Sequence, residues 1–193
     1  MKLVILDRDG VINHDRPDYV KSADECVLIP GSAEAIAALS QAGYTVVVAT
    51  NQSGLARGLF DLDDLEAMHD KITQAVIDVG GAIDAIFYCP HHPNDECKCR
   101  KPNTGMLDAI EAEFNGSVAE CWFVGDSLGD VQAALKKGCK PILVGTGKGG
   151  KTLEQIQSGH AFAQGKLLTQ DDIVIASHLK AAVTEILSLT KED

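Results

Sequence analysis

Met1-Lys2-Leu3-Val4-Ile5-Leu6-Asp7-Arg8-Asp9-Gly10 opens the chain and decides how the rest is read. A short apolar run, Leu3 to Leu6, stops abruptly in two carboxylates separated by one residue. A continuous apolar run of this length is what a strand buried on both faces requires, and such strands belong to parallel sheets. In extended chain, residues two apart point the same way, so Asp7 and Asp9 can enter one site together.

Further apolar runs, at 45–49, 83–88, 121–124 and 141–144, give strand candidates that join 2–6. Segments of helical period lie between and after them, at 31–42, 61–79, 104–114, 128–137 and 177–189. In 61–79 the residues Leu62, Leu65, Met68, Ile72, Ala75, Val76 and Val79 fall along one face. Gly43 and Gly80 stand where C-terminal caps belong. Strand followed by helix, repeated, predicts an α/β fold: a doubly wound, mostly parallel, Rossmann-like sheet, with ligands beyond the carboxyl ends of its strands. The 193 residues suit one domain over 1–193.

Those strand ends carry chemistry. The run 45–49 leads into Thr50-Asn51-Gln52-Ser53-Gly54, which offers a hydroxyl, amides and backbone donors. The run 121–124 leads into Gly125-Asp126-Ser127-Leu128-Gly129-Asp130. Arg100 and Lys101 stand just before helix 104–114, so a phosphate could meet both charge and helix N–H groups there.

The segment Cys89-Pro90-His91-His92-Pro93 is followed by Cys97-Lys98-Cys99. A Cys-x-His pair and a Cys-x-Cys pair, five residues apart, can close a tetrahedral Zn²⁺ site of the closed, structural kind. Cys89, Cys97 and Cys99 are three ligands. The fourth is His91 or His92, with His91 favoured by its spacing from Cys89. This insertion, 89–99, runs directly into Arg100 and Lys101, so zinc would fix where those cations point. The other cysteines, Cys26, Cys121 and Cys139, suggest reduced thiols in a cytoplasmic protein.

Taken in order, Asp7-x-Asp9, Thr50, Lys101 and Gly125-Asp126-x3-Asp130 resemble the haloacid-dehalogenase superfamily. The resemblance implies a phosphatase: Asp7 the nucleophile, Asp9 the general acid and base, and Thr50 and Lys101 holding phosphoryl oxygens. Mg²⁺ would sit on Asp7, the main-chain carbonyl of Asp9 and Asp126, with Asp130 an open alternative. The string Cys-Pro-His-His-Pro…Cys-x-Cys-Arg-Lys-Pro and the segment 51–58 look like the branch whose members dephosphorylate heptose 1,7-bisphosphate or histidinol phosphate. By that likeness Arg100 helps hold phosphate, while Asp15, Arg16, Tyr19, Asn51, Gln52, Ser53 and Arg57 line the substrate side. The sugar bisphosphate is favoured, in the route to ADP-heptose and the lipopolysaccharide core; its anomer stays open. No large cap domain is apparent.

Composition narrows the alternatives. A formal net charge of −11 disfavours nucleic acid and anionic membranes as partners. No apolar run is long enough to span a membrane, and a monomer is the default expectation. Gly145-x4-Gly150-Lys151-Thr152 matches a nucleotide-binding P-loop. It comes late, however, and the only later strand candidate, Ile173-Val174-Ile175, has no aspartate after it for Mg²⁺, so 145–152 reads as a flexible glycine-rich connection. A phospho-receiver domain would place its aspartate on a middle strand, where this chain has Thr50-Asn51. A zinc-stabilised interaction module would not need the Asp7/Asp9 pair.

Overall fold

The computed structural model describes residues 1–189. Six strands form one sheet: β1 (Leu3–Leu6), β2 (Thr45–Asn51), β3 (Ala85–Cys89), β4 (Trp122–Gly125), β5 (Lys140–Val144) and, last in the chain, β8 (Val174–Ala176). Their spatial order is β3-β2-β1-β4-β5-β8, and every neighbouring pair is parallel. The order reverses between β1 and β4. In a doubly wound sheet, ligands bind at that point, outside the carboxyl ends.

Both faces of the sheet are covered, which is why its strands read as unbroken apolar runs. Val4, Leu6, Val46, Val48 and Val124 face one layer. It is formed by α1 (Ser32–Gln41), α2 (Leu62–Asp78) and α6 (Leu179–Leu189). Leu3, Ile5, Val47, Ala49 and Phe123 face the other, formed by α3 (Gly105–Glu113) and α4 (Leu128–Lys136). All four residues of β1 are buried, each contributing roughly 1.5–3 kcal/mol if wholly removed from water. The central strand is thus firmly fixed, and Asp7 extends it: its N–H donates to Val124 O at 2.9 Å.

The expected helices all form, each within two residues of its expected bounds. On α2 the residues Leu65, Met68, Ile72 and Val76 are buried as their period requires, while Leu62 and Val79, at the helix ends, are exposed. Gly43 and Gly80 adopt φ of 78° and 79°, the left-handed turn that ends a helix.

The segment 145–152 differs from the flexible connection that its glycines suggest. A turn at 145–148 leads into α5 (Gly149–Gln157), and Thr152 is buried. Gly149 N donates to Thr146 O at 2.9 Å and Thr152 Oγ1 to Asp126 O at 3.0 Å. Gly149 serves close packing: a Cβ there would sit 1.7 Å from Val144 O. A two-stranded hairpin, β6 (Phe162–Ala163) and β7 (Lys166–Leu167), follows before β8. Among the described residues no large cap is inserted over the strand ends, and no helix is long and apolar enough to cross a membrane.

Candidate active site

Four segments meet at the carboxyl end of β1. Asp7 continues β1, Thr50 lies on β2, Asp126 follows β4, and Lys101 comes from the loop before α3. Lys101 Nζ lies 2.8 Å from Asp7 Oδ1, 2.6 Å from Asp130 Oδ1 and 2.7 Å from Ala49 O. Asp7, Asp126 and Asp130 each bring one oxygen into a cluster whose members lie within 4.8 Å of one another, and all three are buried.

Three buried carboxylates face one ammonium. Burial, opposed by Lys101 and reinforced by Asp130, raises the Asp7 carboxyl to about 6. Burial, with Asp7 and Asp130, raises Asp126 to about 8. Burial alone would depress Lys101, but Asp130 and Asp7 push it well above its ordinary value, so it stays charged. Apart from Lys101, the inward oxygens of Asp7 and Asp130 meet no donor. Such an excess of hard oxygen and negative charge fits a divalent cation of the Mg²⁺ type.

The roles of Asp126 and Asp130 separate on geometry. Asp130 closes a capping box at the start of α4. Its Oδ2 accepts from Ser127 N at 3.0 Å and Ser127 Oγ at 2.6 Å, which leaves Oδ1 aimed at Lys101. Asp126 accepts from Lys148 N at 2.7 Å through Oδ2 and receives no other side-chain or backbone donor in the site. Asp126 is therefore the better placed to hold a metal, and Asp130 to brace Lys101.

Asp9 has quite different surroundings. Arg8, fully buried, donates to both its oxygens at 2.9 Å; Asn13 Nδ2 donates at 2.8 Å and Gln52 Nε2 at 2.8 Å. Burial would raise the Asp9 carboxyl, but Arg8, Asn13 and Gln52 outweigh it and hold it below the usual range. At rest Asp9 is thus ionised, whereas a general acid must reach the substrate carrying a proton. Gln52 also donates to Thr50 Oγ1 at 2.9 Å and so ties Asp9 to Thr50. His69, half-buried on α2, lies 3.5 Å from Arg8. Burial and Arg8 lower it to about 4, so it stays neutral there.

Asn51 clasps the Lys101 backbone. Its Oδ1 accepts from Lys101 N at 3.1 Å and its Nδ2 donates to Lys101 O at 3.2 Å. These two bonds fasten the end of the cysteine–histidine loop to β2. Within that loop Cys89, His91, Cys97 and Cys99 cluster, with Sγ–Sγ distances of 3.2–3.6 Å and His91 Nδ1 at 3.2 Å from Cys99 Sγ and 3.6 Å from Cys89 Sγ. A tetrahedral zinc with Zn–S of about 2.3 Å sets its sulfurs about 3.8 Å apart, close to these spacings. His92 is turned away; its Nδ1 accepts from Asn94 N and its own N–H donates to Asp95. Between the two histidines the geometry selects His91.

The cleft above the carboxylates has a volume of about 460 Å³. Asp15, Arg16, Tyr19, Asn51, Gln52, Ser53 and Arg100 all reach its wall. Arg57 does not: it is exposed and packs over the Tyr19 ring at 5.7 Å. Arg8, Asn13, Ser127 and Lys148 are the functional neighbours that reading the sequence alone misses. The Ser127-x-x-Asp130 spacing is a capping-box signal that could have found Ser127. The other three depend on which loops meet.

A family model described as HAD-hydrolase-like matches residues 98–165. A protein of Pseudomonas aeruginosa named D-glycero-β-D-manno-heptose-1,7-bisphosphate 7-phosphatase is 52% identical over 92% of this chain and 97% of its own length. One of the same name from Bordetella bronchiseptica is 57% identical over 80% of this chain and 87% of its own. Among solved structures, D,D-heptose 1,7-bisphosphate phosphatase of B. bronchiseptica, complexed with magnesium and phosphate, superposes with a TM-score of 0.89. It is 50% identical and covers 98% of this chain and 99% of its own. The corresponding enzyme of Burkholderia thailandensis gives 0.72 at 44% identity, over 97% and 99%.

Proposed function

This chain belongs to the haloacid-dehalogenase-like hydrolases, and we propose that within them it removes the 7-phosphate of D-glycero-β-D-manno-heptose 1,7-bisphosphate. One observation carries the reading. Relatives 52–57% identical bear that name, and the family's motif residues meet in a single buried cluster at the sheet's switch point.

Asp7 is the nucleophile. Its carboxylate forms a bond to phosphorus as the sugar oxygen departs, giving an aspartyl-phosphate that water then hydrolyses; one difficult displacement becomes two easier ones. Lys101 holds Asp7 ionised and, with Thr50 and Arg100, faces the phosphoryl oxygens. Asp9 delivers a proton to the leaving oxygen and takes one from the attacking water. Arg8, Asn13 and Gln52 keep Asp9 ionised until a phosphate dianion approaches, and the added negative charge then favours the protonated acid. Asp7, Asp126 and the main-chain carbonyl of Asp9 would hold Mg²⁺, which offsets repulsion between nucleophile and phosphate. Cys89, His91, Cys97 and Cys99 would hold a structural Zn²⁺. Among the remaining wall residues, Asp15, Arg16, Tyr19 and Ser53 shape the sugar side; Arg57, which lies outside the wall, acts through Tyr19.

The test is phosphate release with Mg²⁺ from the α- and β-anomers of heptose 1,7-bisphosphate and from histidinol phosphate. Fastest turnover of the β-bisphosphate is expected. Preference for histidinol phosphate would overturn the substrate assignment while leaving the phosphatase chemistry in place.

A further inference from the structure

The turn at 145–148 is built onto the catalytic cluster. Lys148 N donates to Asp126 at 2.7 Å and Thr146 Oγ1 donates to Gly10 O at 2.5 Å. A Cβ on Gly147 would stand 2.1 Å from Asp126 Oδ2 and 2.7 Å from the Gly10 Cα, so only glycine lets the turn approach this closely. The base of the Lys148 side chain is therefore fixed against Asp126. Its ammonium, at the wall of the cleft, lies 3.1 Å from Asp15 on the loop after β1. The lysine of the P-loop-like pattern, Lys151, is exposed and outside the cleft.

Three of the other cations around the cleft are engaged. Lys101 is locked between Asp7 and Asp130. Arg16 pairs with Asp18 at 3.3 Å and approaches Glu25 at 4.0 Å. Arg57 packs on Tyr19 outside the cleft wall; Arg100, whose buried Nη1 has no partner, stands beside Lys101 and is assigned above to the reacting phosphate. Lys148 differs: its side chain is 61% exposed and has one carboxylate partner. A bisphosphate carries a second anion that the transfer machinery does not hold, and in a chain of net charge −11 it needs a local cation.

We propose that Lys148 is a specificity-determining residue, whose ammonium exchanges Asp15 for the substrate's second, non-reacting phosphate and so makes the cleft select a bisphosphate over a monophosphate. This rests on the substrate assignment above. The backbone bond to Asp126 positions the stem, and the side chain reads the far end of the ligand. A charge-assisted contact of this kind is among the stronger single interactions a site can offer.

The experiment compares wild type, Lys148→Ala and Lys148→Arg on heptose 1,7-bisphosphate and on the heptose 7-phosphate that lacks the second group. Lys148→Ala should lose about tenfold to a hundredfold in kcat/KM on the bisphosphate, mainly through KM. The loss on the monophosphate should be at least about tenfold smaller, and Lys148→Arg should recover most of the difference. The backbone N–H survives either substitution, so the Mg²⁺ concentration for half-maximal activity should stay put. Equal losses on both substrates, or a shifted Mg²⁺ requirement, would place the effect on Asp126 and overturn the proposal. A wild type with no preference for the bisphosphate would overturn both this inference and the substrate assignment; a wild type that keeps the preference while the variant loses equally on both overturns this inference alone.

Discussion

The carboxylate cluster at the end of β1 and the cysteine–histidine loop after β3 could each hold a metal ion, yet they are built in opposite ways. The loop gathers its four ligand atoms from eleven consecutive residues, 89 to 99, and needs little from the rest of the chain beyond Cys89 at the end of β3. The cluster draws on residues 7, 101, 126 and 130, which only the finished sheet brings together. The two meet at Arg100 and Lys101, where the local site ends and the long-range one begins. A local metal loop can thus steer a cation into a site that the fold has already made negative.

The sharpest way to break this division is to remove the nucleophile. Asp7→Asn keeps the shape of the side chain and the backbone bond to Val124, but an amide cannot attack phosphorus. Turnover should fall on the order of 10⁴-fold or more, while bound zinc and the circular dichroism spectrum stay as in the wild type. Near-normal steady-state rates in this variant would remove Asp7 from the mechanism.

The converse substitution tests the loop. Cys99→Ser should lose zinc, measured by elemental analysis, and leave the helical signal intact, because the loop adds only Cys89, Cys97 and Cys99 to the core on the α3 and α4 face and nothing to the other layer. The Lys101 backbone would lose the support of the loop and keep the Asn51 clasp. A displacement of about 1 Å in such a group can cost on the order of a hundredfold in rate, so a fall of that size is expected, well short of the Asp7→Asn loss. If the zinc-free variant ran at wild-type rates, the loop would not organise the site. Global unfolding would show instead that zinc holds the whole fold.

The same contrast explains what could be read in the sequence. The sheet was legible because β1, β2, β4 and β5 are buried on both faces and so carry unbroken apolar runs. The ligands of the loop were legible because they are neighbours in the chain. Asp7, Thr50, Lys101 and Asp126 were found through their order and through a family likeness, since no spacing rule joins residues so far apart. Their supporting partners were hidden. Arg8 drew no reading of its own, yet it is fully buried and grips Asp9. Gly145–Gly150 read as slack chain, because glycine that permits close packing and glycine that permits motion look alike until the opposing surface is known. Asn51 and Gln52 were read as facing substrate, and they do line the cleft. Their hydrogen bonds, however, run to Lys101, Asp9 and Thr50.

The smallest effect concerns the charge that the carboxylate cluster carries without its cation. Asp126 titrates at about 8 in the folded chain and near 3.9 when unfolded. Between pH 6.5 and 8 the folded state therefore holds a proton that the unfolded state has released. Stability falls with pH wherever the folded state binds more protons, so the Mg²⁺-free protein should unfold at a lower temperature at pH 8 than at pH 6.5. Asp7, at about 6, adds to the fall at the lower end of that range. His69, at about 4, acts in the opposite sense, but mainly below pH 6.5, which is why the range starts there. One kcal/mol moves the midpoint of a chain this size by about 2–4 °C, so a drop of a few degrees is expected. Saturating Mg²⁺ should flatten the dependence, because the cation replaces the proton as the partner of the carboxylates. Asp126→Asn should flatten it without Mg²⁺. Thermal melts at a series of pH values, in Mg²⁺-free buffer without chelator so that the cysteine loop keeps its metal, read this directly. A wild-type midpoint that rises from pH 6.5 to 8 would mean that Asp126 is ionised throughout, and that Lys101 alone is enough to balance the cluster.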